Sequence, residues 1–387
     1  MSTPAVNALL RPHFDALMEA AGQPRLFDAH THIGCNDPDG MRQSPAELLA
    51  GLPAPDARAV VFPMHEPHGY RAANDLVLAT AAESDGRLVA YCRVDPRMDA
   101  VAEARRCLAA GARGIKLHPR AEGFALSEPV VAELVALAAE RRVAVLIHAG
   151  RGIPALGRDT VALSARFPEA RLILAHCAIS DLAWIWREMP AHPNLFIDSS
   201  WWHPSDLIAL FSLVAPGQVL WASDSPYADP VFSAALALRC ALQARLGRDQ
   251  LRGTMGEQLD AITAGRDPRD FGAAPGPGAA LDPLLERVVA HLTGALQRTL
   301  AHADLGEPLG LARLACAIGE EHPHAQVASE VLELLDGYER LVAPSGPGRV
   351  FPEALRLLVM ALALARTPDV ALPERPAAPA PIREAAE

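Results

Sequence analysis

From residue 26 onward the chain repeats one unit: a short apolar run, a loop, then a stretch with helical periodicity. Eight runs recur, at residues 26–32, 57–64, 88–95, 112–119, 143–149, 171–177, 195–200 and 219–226. Most are almost continuously apolar, as in VAVLIHA and RLILAHC, which is the pattern of strands covered on both faces. Between them lie helical stretches such as SPAELLAGL, YRAANDLVLATAAES, SEPVVAELVALAAE and DLAWIWREMPA. In the first of these Ser44 and Glu47 form a capping box, with Pro45 at the first helical position. Eight such units within about 240 residues are what a (β/α)8 barrel needs. A doubly wound open sheet is the competing architecture, but no G-x-G-x-x-G follows the first run. The sequence therefore predicts an α/β protein, a (β/α)8 TIM barrel over residues 26–265, preceded by an N-terminal helix within residues 1–25.

The pattern changes at AAPGPGAA (273–280), so 266–280 reads as a proline- and glycine-rich linker. Four helical stretches follow, which predicts a small all-α C-terminal region over 281–366, opened by Asp282 as a cap with Pro283 behind it. The most apolar window, LRLLVMALALA at 355–365, is too short to span a bilayer and reads as a buried helix. Residues 367–387, rich in proline, alanine and glutamate, are expected to be a disordered tail.

Half of the 387 residues are hydrophobic, enough for a sizeable core. The net charge is −11 and no basic stripe stands out, which argues against nucleic acid as a partner. The cysteines at 35, 92, 107, 177, 240 and 316 form no CxxC pair and read as reduced thiols. The first 22 residues lack the apolar core of a signal peptide, so the expected compartment is the cytoplasm, away from membranes.

Active sites of such barrels lie at the C-terminal ends of the strands. Here those ends are strongly biased: His30 and His32, Lys116 and His118, His148, His176, Asp198, and Asp224. In LFDAHTHIGC the strand period of two sends Asp28, His30 and His32 to one face. A metal ion satisfies two neutral imidazoles at once, although a turn or a pair of surface histidines would give the same spelling. Each remaining residue also has a structural reading. His148 and His176 could be hydrogen-bonded core histidines, Asp198 and Asp224 could cap turns, and His118 before Pro119 could sit in an extended loop. Their joint occurrence at equivalent strand ends favours one shared site.

The motifs DAHTHIG (28–34), GIKLHPR (114–120), VLIHAG (145–150), LILAHC (172–177), PNLFIDSSWW (193–202) and VLWASDSPY (219–227) occur in this order. Together they resemble the amidohydrolase superfamily, in particular the branch containing aminocarboxymuconate semialdehyde decarboxylase and its hydrolase relatives. MGEQLDAITAG (255–265) resembles the closing helix of such proteins. The resemblance implies one divalent metal held by His30, His32, His148 and Asp224, with His176 either a fifth ligand or a catalytic group. Zinc is the first choice on ligand type, with manganese and iron as alternatives. It implies Asp224 and His176 as the catalytic pair, and a hydrolase that uses water activated by the ion to cleave an ester, lactone or amide in a small, anionic molecule.

Substrate-binding candidates are Lys116, His118, Arg120 and Trp201; His65, His68 and Trp202 are candidate pocket walls, although tryptophans are equally core material. Asp28 either orients a ligating histidine or caps backbone. Cys35 and Cys177 lie close to site histidines but read as packing residues. Two rival functions remain: non-oxidative decarboxylation at the same site, and a metal-free barrel that serves as a binding or scaffold protein. The helical C-terminal region could cover the barrel mouth, form a homodimer interface or pack against the barrel side.

Overall fold

A computed structural model describes residues 4–38, 40–301, 303, 305–343 and 351–374. The apolar runs form nine short parallel strands: β1 (Phe27–Ile33), β2 (Arg58–Pro63), β3 (Leu88–Ala90), β4 (Cys92–Arg93), β5 (Gly114–Leu117), β6 (Ala144–Ile147), β7 (Arg171–Leu174), β8 (Leu195–Asp198) and β9 (Val219–Leu220). β3 and β4 flank Tyr91 and share one place in the ring, because Tyr91 N donates to Val61 O (2.9 Å) and Arg113 N to Ala90 O (2.7 Å). Every neighbouring pair is parallel. β1 closes on the segment after β9 through Ala29 N to Trp221 O (3.0 Å), Asp224 N to His30 O (2.9 Å) and His32 N to Ser225 O (2.8 Å). Nine segments thus make the eight-stranded barrel, wrapped by helices such as Arg71–Ala82, Ala100–Ala109, Pro129–Arg141 and Pro230–Gln243.

Side-chain alternation divides the interior from the outer layer. Ala144, Leu146, Ile173, Phe196, Leu220 and Ala222 meet inside the ring with Leu259 and Ile262 of helix Gln258–Thr263, which plugs its lower end. Val145, Ile147, Leu172, Leu174 and Ile197 face the surrounding helices. β1 departs from strict alternation. Its register against β2 shifts between Asp28 and Thr31. Phe27 and Ala29 belong to the interior cluster, yet His30 and His32 line the cavity above it. The bulge therefore changes which parity faces inward, and the expectation of one face for Asp28, His30 and His32 does not hold.

Several strands stop earlier than their apolar runs. The run at 171–177 ends as strand at Leu174, and His176, Cys177 and Ala178 follow with φ of 56°, 56° and 47°. Left-handed backbone at three non-glycine residues turns the chain away from the ladder and into the site. The helix expected over DLAWIWREMPA is reduced to Leu182–Ile185 and the turn Met189–Ala191, interrupted before Pro190. The capping box of Ser44 and Glu47 and the cap at Asp282 both form.

The segment 266–280 is docked along the barrel: Arg171 donates to Arg266 O (2.8 Å), Arg269 N to Gln258 Oε1 (2.9 Å) and Gly276 N to Ser212 O (2.9 Å). Helices Pro283–Leu300, Gly306–Ala315, Ala325–Val342 and Phe351–Arg366 follow. Residues 357–365 of the last are at most 1% exposed, as expected of a buried helix. Helix Pro4–Ala21 packs on this region and on Pro230–Gln243, with Leu9 against Gly337.

The tail expected to be disordered from 367 begins as packed chain. Thr367 is fully buried, and Arg239 donates to Thr367 O (2.9 Å) and Ala371 O (3.2 Å). Residues 375–387 and His302 lie outside the described residues. All six cysteines are free thiols; Cys35 is exposed, contrary to its reading as a packing residue, because it follows β1 into an open loop. Among the described residues no helix is long and apolar enough to cross a membrane.

Candidate active site

The strand ends deliver their polar side chains to the C-terminal mouth of the barrel. Asp224 is the meeting point: its Oδ1 lies 3.2 Å from both His30 Nε2 and His32 Nε2, and its Oδ2 lies 3.9 Å from His176 Nδ1. A φ of 66° at Asp224 lets its carboxylate reach back over β1 while its N–H stays bonded to His30 O. Lys116, fully buried on β5, places Nζ 3.3 Å from His30 Nε2 and 4.7 Å from the Phe62 ring centre.

Hydrogen bonds on the far side of each ring fix which nitrogen faces the centre. His30 Nδ1 donates to Asp198 Oδ2 (2.8 Å) and His32 Nδ1 to Pro63 O (3.5 Å), leaving both Nε2 lone pairs towards Asp224. His176 Nδ1 donates to Ser200 O (3.0 Å), so its Nε2 accepts from His148 Nδ1 (2.9 Å). His148 stacks on His118 with ring centres 3.7 Å apart, and His118 Nδ1 accepts from Ala121 N (3.1 Å). A Cβ at Gly150 would stand 2.6 Å from His148 Nε2, so any larger residue there would force the His148 ring to shift.

Burial pushes the imidazoles of His30, His32, His118 and His148 well below their ordinary value, with the positive charge of Lys116 adding to the effect. They are neutral and present lone pairs. Burial, reinforced by Arg93, lowers the Lys116 amine to about 7. Burial raises Asp224 to about 7, against the attraction of His176 and Lys116. Its side chain is nevertheless 22% exposed to the cavity, so it can exchange protons there.

Two cavities meet at this point. One of about 420 Å³ is lined by His30, His32, Arg93 and Lys116 among others; the second, about 330 Å³, runs towards Trp201 and Trp202. His148, His176, Asp224, Arg120 and Tyr227 border both.

The chain matches the Amidohydrolase family over residues 27–261, well over half its length. It belongs to the amidohydrolase family. Among solved structures this amidohydrolase is similar to 5-carboxyvanillate decarboxylase from Sphingomonas paucimobilis, at 16% identity and a TM-score of 0.48, over 62% of this chain and 99% of that one. It is also similar to 4-oxalomesaconate hydratase from Rhodopseudomonas palustris, at 16% identity and a TM-score of 0.48, over 62% and 96%. A third is 2,6-dihydroxybenzoate decarboxylase from Rhizobium, at 14% identity and a TM-score of 0.49, over 62% and 99%. No curated protein matches the chain.

The residues of the amidohydrolase fit a divalent ion. Ligand atoms of His30, His176 and Asp224 all lie within 4.8 Å of one another. Two bare imidazole nitrogens 3.2 Å from a carboxylate oxygen repel it unless a cation or proton lies between them. That spacing is also close to the edge, about 3.3 Å, of a tetrahedron with metal–ligand arms of about 2 Å. His32 and His148 stand outside this group, His32 reaching Asp224 Oδ1 alone at 3.2 Å and His148 with its Nδ1 committed to His176.

The structure brings Lys116, His118 and Arg120 to the first cavity and Trp201 to the second, where Trp201 Nε1 donates to Asp206 Oδ2 (2.7 Å). His65 lines the first cavity, while His68 is exposed beyond it. Asp28 Oδ1 accepts from His30 N (3.0 Å) and Ser223 N (2.9 Å), so it ties backbone together; the ring of His30 is oriented by Asp198 instead. Sequence reasoning missed Arg93, which ends β4 and is held by Glu122 Oε1 at 2.6 Å, itself accepting from Tyr70 Oη at 2.5 Å. Its signal was the strand end in CRVDP, two residues after the interior Tyr91. It also missed Ser200 and Arg356, the latter from the helical C-terminal region.

Proposed function

We propose that this amidohydrolase is a metal-dependent hydrolase that cleaves an ester, lactone or amide bond in a small anionic molecule. The observation that carries the reading is the position of Asp224, one oxygen beside two bare imidazole nitrogens and the other towards His176, with the cavity above. His30, His176 and Asp224, with His32 beside the same carboxylate oxygen, are the residues that would hold the ion, zinc in the first instance and manganese or iron otherwise. Such an ion supplies Lewis acidity, polarising a carbonyl and lowering the pKa of water towards about 7.

The chain's own groups do the rest. Asp224, its carboxyl raised by burial, takes a proton from the attacking water and returns it to the leaving group. His176, fixed by Ser200 O and by His148, borders the reacting space beside Asp224. Arg120 borders the same space and attracts an anionic substrate, while Arg93 is committed to Glu122. Asp198 holds His30 in one tautomer throughout.

The test pairs metal analysis of the purified protein with a panel of small esters, lactones and amides. Hydrolysis that chelation abolishes and zinc restores is expected, and Asp224→Asn should lower turnover about 10³-fold while the protein stays folded. Arg120, which borders both cavities, favours decarboxylation as the second reading, since its guanidinium could hold a carboxylate in place. Release of CO₂ from carboxylic acids, with no hydrolysis of any panel member, would replace the first reading by the second. Activity unchanged by chelators, with less than about a tenth of an equivalent of metal, would support a metal-free protein.

A further inference from the structure

The second cavity is not built by the barrel alone. Its outer wall comes from helix Phe351–Arg366, which contributes Leu355, Arg356 and Val359 opposite Trp201 and Trp202. This helix lies outside the part of the chain that matches the family, residues 27–261. Arg356 is the one charged residue among residues 354–365 of an otherwise apolar helix, and its side chain is only 14% exposed. The nearest carboxylate oxygen, Asp229 Oδ2, stands 3.6 Å from Nη1, too far for a hydrogen bond. The other oxygen of Asp229 is occupied in capping, accepting from Phe232 N at 2.9 Å. Arg356 makes no hydrogen bond among the described residues, and its Nη1 is buried without an acceptor. Asp229 supplies an ion pair but no hydrogen bond, and a buried guanidinium nitrogen without an acceptor is costly unless an anion completes it. Arg120 and Arg151 border the same cavity but are exposed, so water already satisfies them.

We propose that Arg356 is a substrate-binding residue that grips a carboxylate at the far end of the substrate. The ligand is then a small diacid or monoacid ester whose apolar body lies between the tryptophans and Val359, its reacting group at Asp224 and its free carboxylate on Arg356. The position of the reacting group rests on the function proposed above; the anion site on Arg356 does not.

Isophthalate, which carries two carboxylates across an apolar ring, and benzoate, which carries one, test this by calorimetric titration of the purified full-length protein. Isophthalate is expected to bind about tenfold more tightly than benzoate, the worth of one charge-assisted contact. Arg356→Gln should erase that difference by weakening isophthalate about tenfold, and Arg356→Lys should restore part of it. Asp229→Asn keeps a capping oxygen and removes the competing charge, so it should tighten isophthalate without altering benzoate. Equal binding of the two acids by wild type, or discrimination that survives Arg356→Gln, overturns the proposal. Should the glutamine variant not fold, unchanged or weakened isophthalate binding in Asp229→Asn overturns it as well. Binding is read without turnover, so a protein that discriminates the acids yet hydrolyses nothing would remove the proposed reaction and leave this anion site standing.

Discussion

Four hydrogen bonds converge on the carboxylate of Asp198. Oδ1 accepts from His176 N (3.0 Å), Ser200 N (3.0 Å) and Ser200 Oγ (2.5 Å), and Oδ2 from His30 Nδ1 (2.8 Å). Asp198→Asn keeps the shape but turns one acceptor into a donor, which drives the His30 proton to Nε2, the side facing Asp224. Zinc affinity should fall about 10–100-fold, read by equilibrium dialysis; an unchanged affinity would show that Asp198 does not set the tautomer. Most of the candidate residues were readable from sequence because each closes an apolar run: His30, His32, Lys116, His118, His148, His176 and Asp224 all border the cavities. What sequence could not supply is ring orientation. The side of His148 that faces His176 depends on a stack with His118, two barrel strands assembled side by side. Arg356 was hidden for a different reason: its helix reads as buried, but nothing in the sequence says that the helix walls a cavity.

At the scale of elements, the strands were legible from composition and their ends were not, because the residues that leave the ladder are the ones the site needs. The bulge in β1 and the break at Tyr91 depend on register between neighbours, which a single run of letters does not contain. The outer helices carry their own links to the barrel. Asn74, on Arg71–Ala82, exchanges hydrogen bonds with the backbone of Arg93 and donates to Glu103 Oε1 (2.9 Å) on Ala100–Ala109. Hydrogen bonds from Arg106 hold the Glu103 carboxyl down at about 2, against 4.5 ordinarily. A carboxyl depressed in the folded state gives stability that is complete above its unfolded pKa and is lost as pH falls through the folded one. Glu103→Gln should therefore lower the urea midpoint at pH 7, and the gap from wild type should close between pH 4.5 and 2. Curves that stay parallel down to pH 2 would remove Glu103 as the cause.

At the scale of the whole molecule, the helices outside the barrel form a clasp rather than an appendage. The sequence marked the linker by composition and the four helices by periodicity, but docking faces are not written in either. Pro4–Ala21, counted with the N-terminus, packs with helices from the other end of the chain, and Arg239 of the barrel layer holds the backbone of 367–371. Truncation after Gly272 would remove the part of the cover on Pro230–Gln243 that Phe351–Arg366 supplies, together with the wall that carries Arg356. The truncated chain should bind a hydrophobic dye and unfold at least about 5 °C lower, measured by calorimetry; an unshifted transition would mean that the barrel is self-sufficient. The contact between Pro4–Ala21 and Phe351–Arg366 also has a bearing on biosynthesis. At translation rates of about 5–20 residues per second, roughly 330 residues must emerge after the first of these helices before the second exists. The greasy stripe of Pro4–Ala21 is covered first by Pro230–Gln243, and the part that Phe351–Arg366 covers stays bare for some tens of seconds, which makes the nascent chain a natural client for chaperones at the ribosome exit.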